Sequence, residues 1–98
     1  MPRHSLEVHP DAVMEAREAV RWYRARSEVI ADAFIDEIDH AIGQIDEAPD
    51  RWPPYIRGTR RYLLHRFPFY VVYRRRDSTI QIIAVAHGHR KPGYWKPR

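Results

Sequence analysis

The sequence predicts an α+β fold: an N-terminal strand, an antiparallel two-helix hairpin, then a three-stranded antiparallel meander forming one sheet with the helices packed on one face. Three observations predict it. Apolar residues recur at helical spacing between Ala12 and Ile45, and strand-like patterning runs from Arg60 to Ala86. Between them PDRWPPYIRG, residues 49–58, is broken by three prolines and a glycine and cannot continue either regime. A chain of 98 residues suits one domain, 1–98, with one hydrophobic core.

Residues 3–8, RHSLEV, alternate polar and apolar at His4, Leu6 and Val8, which predicts a short strand with one face buried. Pro10 can take the first helical position, where its missing N–H costs nothing, and Asp11 sets a negative charge near the positive helix end. Ala12, Ala16, Ala19, Val20 and Tyr23 then mark one apolar helix face, with Glu15, Arg17, Glu18, Arg21 and Arg24 mostly elsewhere. Ser27 is the expected N-cap of a second helix that Pro49 ends. Its apolar face is Ile30, Phe34, Ile38, Ala41, Ile42 and Ile45, and its acidic face Asp32, Asp36, Glu37, Asp39 and Asp46. So short a link makes the helices an antiparallel hairpin whose apolar faces must find the sheet.

Strands are expected at Arg60–Arg66, broken by Phe67-Pro68, at 69–75, rich in β-branched and aromatic residues, and at Thr79–Ala86 after a tight Asp77-Ser78 turn. The last is nearly continuously apolar, which places it inside the sheet with both faces covered. The tail, HGHRKPGYWKPR, is polar, basic and proline-broken, and is expected to carry function.

Charge divides the chain. Residues 1–50 hold 12 acids against 5 Lys or Arg, whereas residues 51–98 hold 12 Lys or Arg against the single acid Asp77. The basic half expects a polyanionic partner, nucleic acid or an acidic protein segment, unless it is only a solvated surface. The absence of cysteine removes disulfides and thiolate metal sites. No apolar run is long enough to span a membrane and MPRHSLEVHP lacks the apolar core of a signal peptide, so the expected location is the cytoplasm.

Two constellations could carry chemistry. The first is the arginine set Arg57, Arg60, Arg61, Arg66, Arg74, Arg75 and Arg76, extended by Arg90, Lys91, Lys96 and Arg98. Guanidinium forks suit phosphate oxygens, and the interleaved Tyr62, Phe67, Tyr70 and Tyr73 either stack on bases or fill the core. Arg57, Arg60, Arg61, Arg90 and Lys91 are candidates for contacting nucleic acid or another target, and Arg66 and Arg74 lie at strand ends, where a sheet holds a side chain rigidly. The second is His87-Gly88-His89 with Tyr94 and Trp95 beyond it. A metal-free ribonuclease needs a base, an acid and cations on the phosphorane, which histidine and arginine can supply. The competing reading of His87 is a hydrogen-bonded cap on the sheet end. Neither a metal nor another cofactor is expected, since no cysteine or nearby carboxylate completes a site.

The chain resembles the RelE/ParE superfamily of bacterial type II toxins, also called plasmid-stabilisation proteins. The resemblance rests on AVRWYRARSEVIADAFIDEI in the helices, GTRRYLLHRFPFYVVYR across the first two meander strands and IIAVAHGHRKPGYW at the end. It implies a toxin neutralised by a cognate antitoxin with an acidic, amphipathic C-terminal segment, the two forming a hetero-oligomer, and no membrane partner. It also implies one of two targets. RelE-like members cut mRNA on the ribosome with basic sheet residues and a C-terminal His or Tyr, positions to which Arg66, Arg74, His89 and Tyr94 are similar, with His87 close by. ParE-like members inhibit DNA gyrase. WYR, RRYLLHRFPF and HRKPGYW look like the ParE-leaning branch, and RWPPYIRG stands where RelE-like nucleases carry a lysine-rich element.

Overall fold

A computed structural model of the protein describes residues 4–98; Arg3, where the first predicted strand begins, lies outside them. The elements follow the expected order: β1 (Ser5–Val8), α1 (Pro10–Arg24), α2 (Glu28–Glu47), a 3-10 turn at Ile56–Gly58, β2 (Arg60–Leu63), β3 (Phe69–Arg76) and β4 (Thr79–His87). They form one four-stranded sheet of order β1-β4-β3-β2. The meander β2-β3-β4 is antiparallel, and β1 joins β4 in parallel, so the sheet as a whole is mixed. Among the described residues no helix is long and apolar enough to cross a membrane.

Local chemistry places the helix ends. The His9 side chain accepts a hydrogen bond from the Asp11 amide at 3.0 Å just ahead of Pro10, and the Ser27 hydroxyl accepts one from Ile30 at 3.2 Å. The helices cover one sheet face, where Phe34, Ile38, Ala41 and Ile45 meet Tyr62, Val71, Tyr73, Ile80 and Ile82. Tyr23, Phe34, Phe67 and Phe69 close the end of this layer, with Tyr23 to Phe67 centroids 5.0 Å apart in an edge-to-face pair.

Several expectations change. β1 has no buried face: as the edge strand it leaves Leu6 and Val8 37% and 38% exposed, while His4, just ahead of it, reaches Asp46 of α2 at 2.9 Å. Ile30 lies in the first turn of α2, out past the sheet, and is exposed. β2 stops at Leu63 rather than Arg66, because Glu37 of α2 accepts from the amides of His65 (2.6 Å) and Arg66 (3.2 Å) and turns the chain out of the ladder. Tyr62, Tyr70 and Tyr73 are buried and offer no face to a base, and Phe67, partly buried, is spent on the aromatic layer.

The tail is also structural. Trp95, 2% exposed, packs with Tyr55 and Tyr94 on the sheet face away from the helices, against Tyr70, Val72, Ile83, Ala84 and Ala86. The second face thus needs no helix.

One irregularity governs the site. Between Val72 and Tyr73 the pairing shifts: Val72 opposes Ala84, Tyr73 opposes Ile82, and Ile83 is the extra residue. Ile80 and Ile82 face the helices, Ile83 and Ala84 both face the tail, and Val85 faces the helices again. This β-bulge inverts the inward and outward alternation of the rest of β4 and so turns His87 toward α1.

Burial raises the phenols of Tyr70 and Tyr73 to about 12, and the Tyr73 hydroxyl donates to the Pro49 carbonyl at 2.6 Å. The fold therefore favours the neutral phenol. The stability this contributes is complete below the unfolded value of about 10 and is lost as pH rises toward 12. The urea midpoint is expected to fall steeply between pH 9 and pH 11.5, and less so in Tyr73→Phe; an unchanged midpoint would contradict the burial argument.

Candidate functional site at the helix-side end of the sheet

The end of β4 that the bulge re-aims opens into a groove of about 420 Å³ between α1, the start of β3 and the tail. Ala19, Trp22, Tyr23, Phe69 and Val85 make its apolar wall, and Glu15, Glu18, His87, Arg90 and Tyr94 its polar groups. The small side chains of Ala12 and Ala19, both buried, let α1 lie close over β4.

Glu15 organises the polar side. β1 pairs with β4 only as far as Ile82, which leaves the following edge of β4 without a strand. The Glu15 carboxylate accepts from the Val85 amide at 3.0 Å, from the Tyr94 hydroxyl at 2.5 Å, and from both terminal nitrogens of Arg98 at 2.8 and 3.1 Å. Arg98 also donates to the Ile83 carbonyl at 3.0 Å. A carboxylate from α1 and a guanidinium from the tail thus take over the hydrogen bonding that a neighbouring strand would supply. Burial first, and then the hydrogen bond to Glu15, push the Tyr94 phenol well above its ordinary range, so it stays protonated at neutral pH. Arg90 lies over the Tyr94 ring, 4.0 Å from its centroid.

His87 pairs with Phe69 across the ladder, their rings edge to face at 5.0 Å, and its Nδ1 accepts from the His89 amide at 3.0 Å. That bond needs an unprotonated Nδ1, leaving the proton on Nε2. The His89 ring stands 4.9 Å from that of His87. Pro68 ties the same region together by accepting from the Gly88 amide at 2.7 Å.

The other sequence candidates are spread out. Arg66 sits on the turn before β3, at this end of the sheet, with its side chain 66% exposed and its Nε 3.7 Å from Glu37. Arg74 is at the far end of β3, five residues beyond Phe69 and so roughly 17 Å along the strand. There it donates to Gln81 at 2.8 Å and to the main-chain oxygen of Arg98 at 3.1 Å. Arg60 donates to the Trp52 carbonyl at 2.6 Å, and Arg61 lies over the Tyr55 ring at 4.2 Å on the tail-side face. Arg57 adopts φ 58 in the 3-10 turn, and Arg57 and Lys91 are both exposed. The groove therefore gathers His87, Arg90 and Tyr94, with His89 and Arg66 nearby and Arg74 remote.

Glu15, Glu18 and Trp22 are the participants that the sequence did not single out. The available signal was an acid inside the alanine stripe of Ala12, Ala16 and Ala19, where a helix lies closest to its sheet. Chemically the groove presents aromatic and aliphatic walls, an engaged histidine, a phenol held protonated and a carboxylate already paired. It is suited to holding an apolar side chain within a polar rim.

Comparison with known proteins agrees with this architecture. A model of the family described as "ParE toxin of type II toxin-antitoxin system, parDE" matches residues 6–92. The chain is 33% identical over 95 residues to Toxin ParE2 of Mycobacterium tuberculosis, an alignment covering 89% of this chain and 84% of that protein. Its fold is similar to a chain of the chromosomal ParDE toxin–antitoxin system from P. aeruginosa, with TM-score 0.77, 19% identity and coverage of 89% and 98%. It is also similar to a chain of the toxin–antitoxin complex RelBE2 from Mycobacterium tuberculosis, with TM-score 0.56, 21% identity and coverage of 87% and 98%.

Proposed function

The chain belongs to the ParE toxin family of type II toxin–antitoxin systems, and we propose that it acts as a non-catalytic inhibitor of DNA gyrase, neutralised by an antitoxin with an acidic, amphipathic C-terminal segment. The observation that carries the first part is the state of the groups a metal-free ribonuclease would need. The Tyr94 hydroxyl is committed to a hydrogen bond to Glu15, Nδ1 of His87 is occupied by the His89 amide, and Arg74 lies at the opposite end of β3. General acid–base cleavage needs a free base, an acid and cations converging within about 3 Å of the reacting atoms. A binding surface needs none of these.

The antitoxin part is supported by charge and by kinship. Arg57, Arg66, Arg76, Arg90, Lys91 and Lys96 remain exposed on a half of the chain that holds a single acid, and the fold neighbours come from toxin–antitoxin systems. Charge complementarity of this kind speeds association and fixes the register of a partner.

The double substitution His87→Ala/His89→Ala tests the reading. A binding toxin keeps its growth arrest within about threefold of the wild-type dose response, and antitoxin rescue is unchanged. Loss of toxicity with antitoxin binding intact would instead identify the two histidines as the acid and base of an endoribonuclease.

A further inference from the structure

A second hollow, polar where the first is apolar, lies at the far end of β3. It encloses about 220 Å³ and is lined by Asp50, Gly58, Arg60, Tyr73, Arg74 and Arg75. The fold brings these together from separate segments. Arg60 opposes Tyr73 across the β2-β3 ladder, Arg74 and Arg75 follow Tyr73, and the chain leaving α2 supplies Asp50. The Tyr73 hydroxyl, donated to the Pro49 carbonyl, pins that segment as the wall opposite the arginines.

Two guanidinium groups, those of Arg60 and Arg75, face one carboxylate here, while Arg74 lines the hollow from the next position and sends its side chain to Gln81 on the other face of the sheet. Asp50 is mostly exposed and only 3.5 Å from Arg75, which makes it a weak neutraliser. Arg60 spends one bond on the Trp52 carbonyl and Arg75 one long contact of 3.5 Å on Asp50, so each keeps N–H groups to spare. Gathering like charges around a partly buried concavity is unfavourable unless an anion compensates them. Its volume lies below the several hundred cubic ångströms usual for small-molecule sites. Tyr73 is buried and shows no ring face for a base to stack on.

We propose that this hollow binds a phosphate group of a nucleic-acid backbone, independently of base sequence, with Arg60 and Arg75 as its principal ligands. It is separate from the groove around His87 and does not depend on the gyrase reading: a toxin could bind gyrase with this hollow vacant, or hold nucleic acid here and have another target.

The test follows the guanidinium Nε–Hε signals of the full chain by NMR during titration with inorganic phosphate and, separately, with a mixed-sequence DNA duplex at low salt. Both ligands should shift the Arg60 and Arg75 signals, and the duplex should compete with phosphate. Arg75→Gln, whose side chain is half exposed and whose loss leaves the fold intact, should weaken duplex binding about tenfold, the ratio expected for one charge-assisted contact. Arg60→Gln/Arg75→Gln should weaken it further and reduce the log-log salt slope by about 0.9 per arginine. The charge-matched pair Arg17→Gln/Arg21→Gln, on the exposed side of α1, should change affinity less than threefold. Equal losses in the two double variants would mean a diffuse field rather than a site, and unmoved guanidinium signals would mean no site. Saturation by phosphate without competition from the duplex would overturn the backbone assignment. Inhibition of supercoiling is read separately, so failure here and failure of the gyrase reading remain distinguishable.

Discussion

Replacing Glu15 with alanine is expected to cost about 3 kcal/mol of stability, a loss usually reserved for core truncations. The reason is the number of groups left behind. The Val85 amide loses its acceptor on an edge that β1 does not reach, the Tyr94 hydroxyl loses its partner, and the Arg98 guanidinium, its side chain only 14% exposed, keeps only the exposed carboxylate of Asp11 at 3.5 Å. Each abandoned buried donor costs on the order of 1–3 kcal/mol, offset in part by water reaching the tail. Glu15→Gln should recover part of the loss by keeping an acceptor for Val85. Urea titration of both variants checks this; a loss below about 1 kcal/mol in Glu15→Ala would mean that the tail network is ornamental.

Trp95→Ala should be comparably damaging, at about 3–5 kcal/mol, because its ring is the largest side chain sealing the sheet face away from the helices. The conservative change separates packing from polarity. The Trp95 indole nitrogen is buried with no hydrogen-bond partner among the described residues, so Trp95→Phe loses volume but also removes an unsatisfied donor. Its cost should stay near or below about 1 kcal/mol. A Phe variant as unstable as the Ala variant would show that the indole shape, rather than apolar fill, holds the tail.

These two residues also mark what the sequence concealed. Helix spacing from Ala12 to Ile45, the Ser27 cap, the proline-broken 49–58 segment and the apolar run of β4 were legible because each is a local pattern with a local cause. The parallel pairing of β1 and its exposed edge were not, since four residues of alternating polarity say nothing about which strand they join. The structural part played by the tail was hidden for a different reason. Its composition is basic and proline-broken, yet Trp95 is buried and anchors it to the sheet while Arg90, Lys91 and Lys96 stay exposed, and Arg98 finds its carboxylate 83 positions away in sequence.

The candidate site shows the same division. His87, Arg90 and Tyr94 drew notice by residue type, and the fold does bring them to one groove. Their orientation depends on the bulge at Ile83, a one-residue shift that no hydrophobic pattern announces. Arg74 drew notice as a strand-end arginine, but in an antiparallel meander alternate strand ends lie at opposite ends of the sheet. The nearly uniform arginine content of the basic half gave no means of telling the cations held by Trp52, Tyr55 or Gln81 from those left exposed.

The measurement that bears most directly on the proposed activity pairs two assays on the same purified toxin: supercoiling of relaxed plasmid by DNA gyrase, and primer extension on an mRNA undergoing translation. A gyrase-binding toxin suppresses supercoiling at stoichiometric concentration, loses that effect when antitoxin is added, and leaves the mRNA uncut. Codon-positioned cuts in the mRNA with supercoiling unaffected would contradict the proposal and return His87 and His89 to the centre of the chemistry.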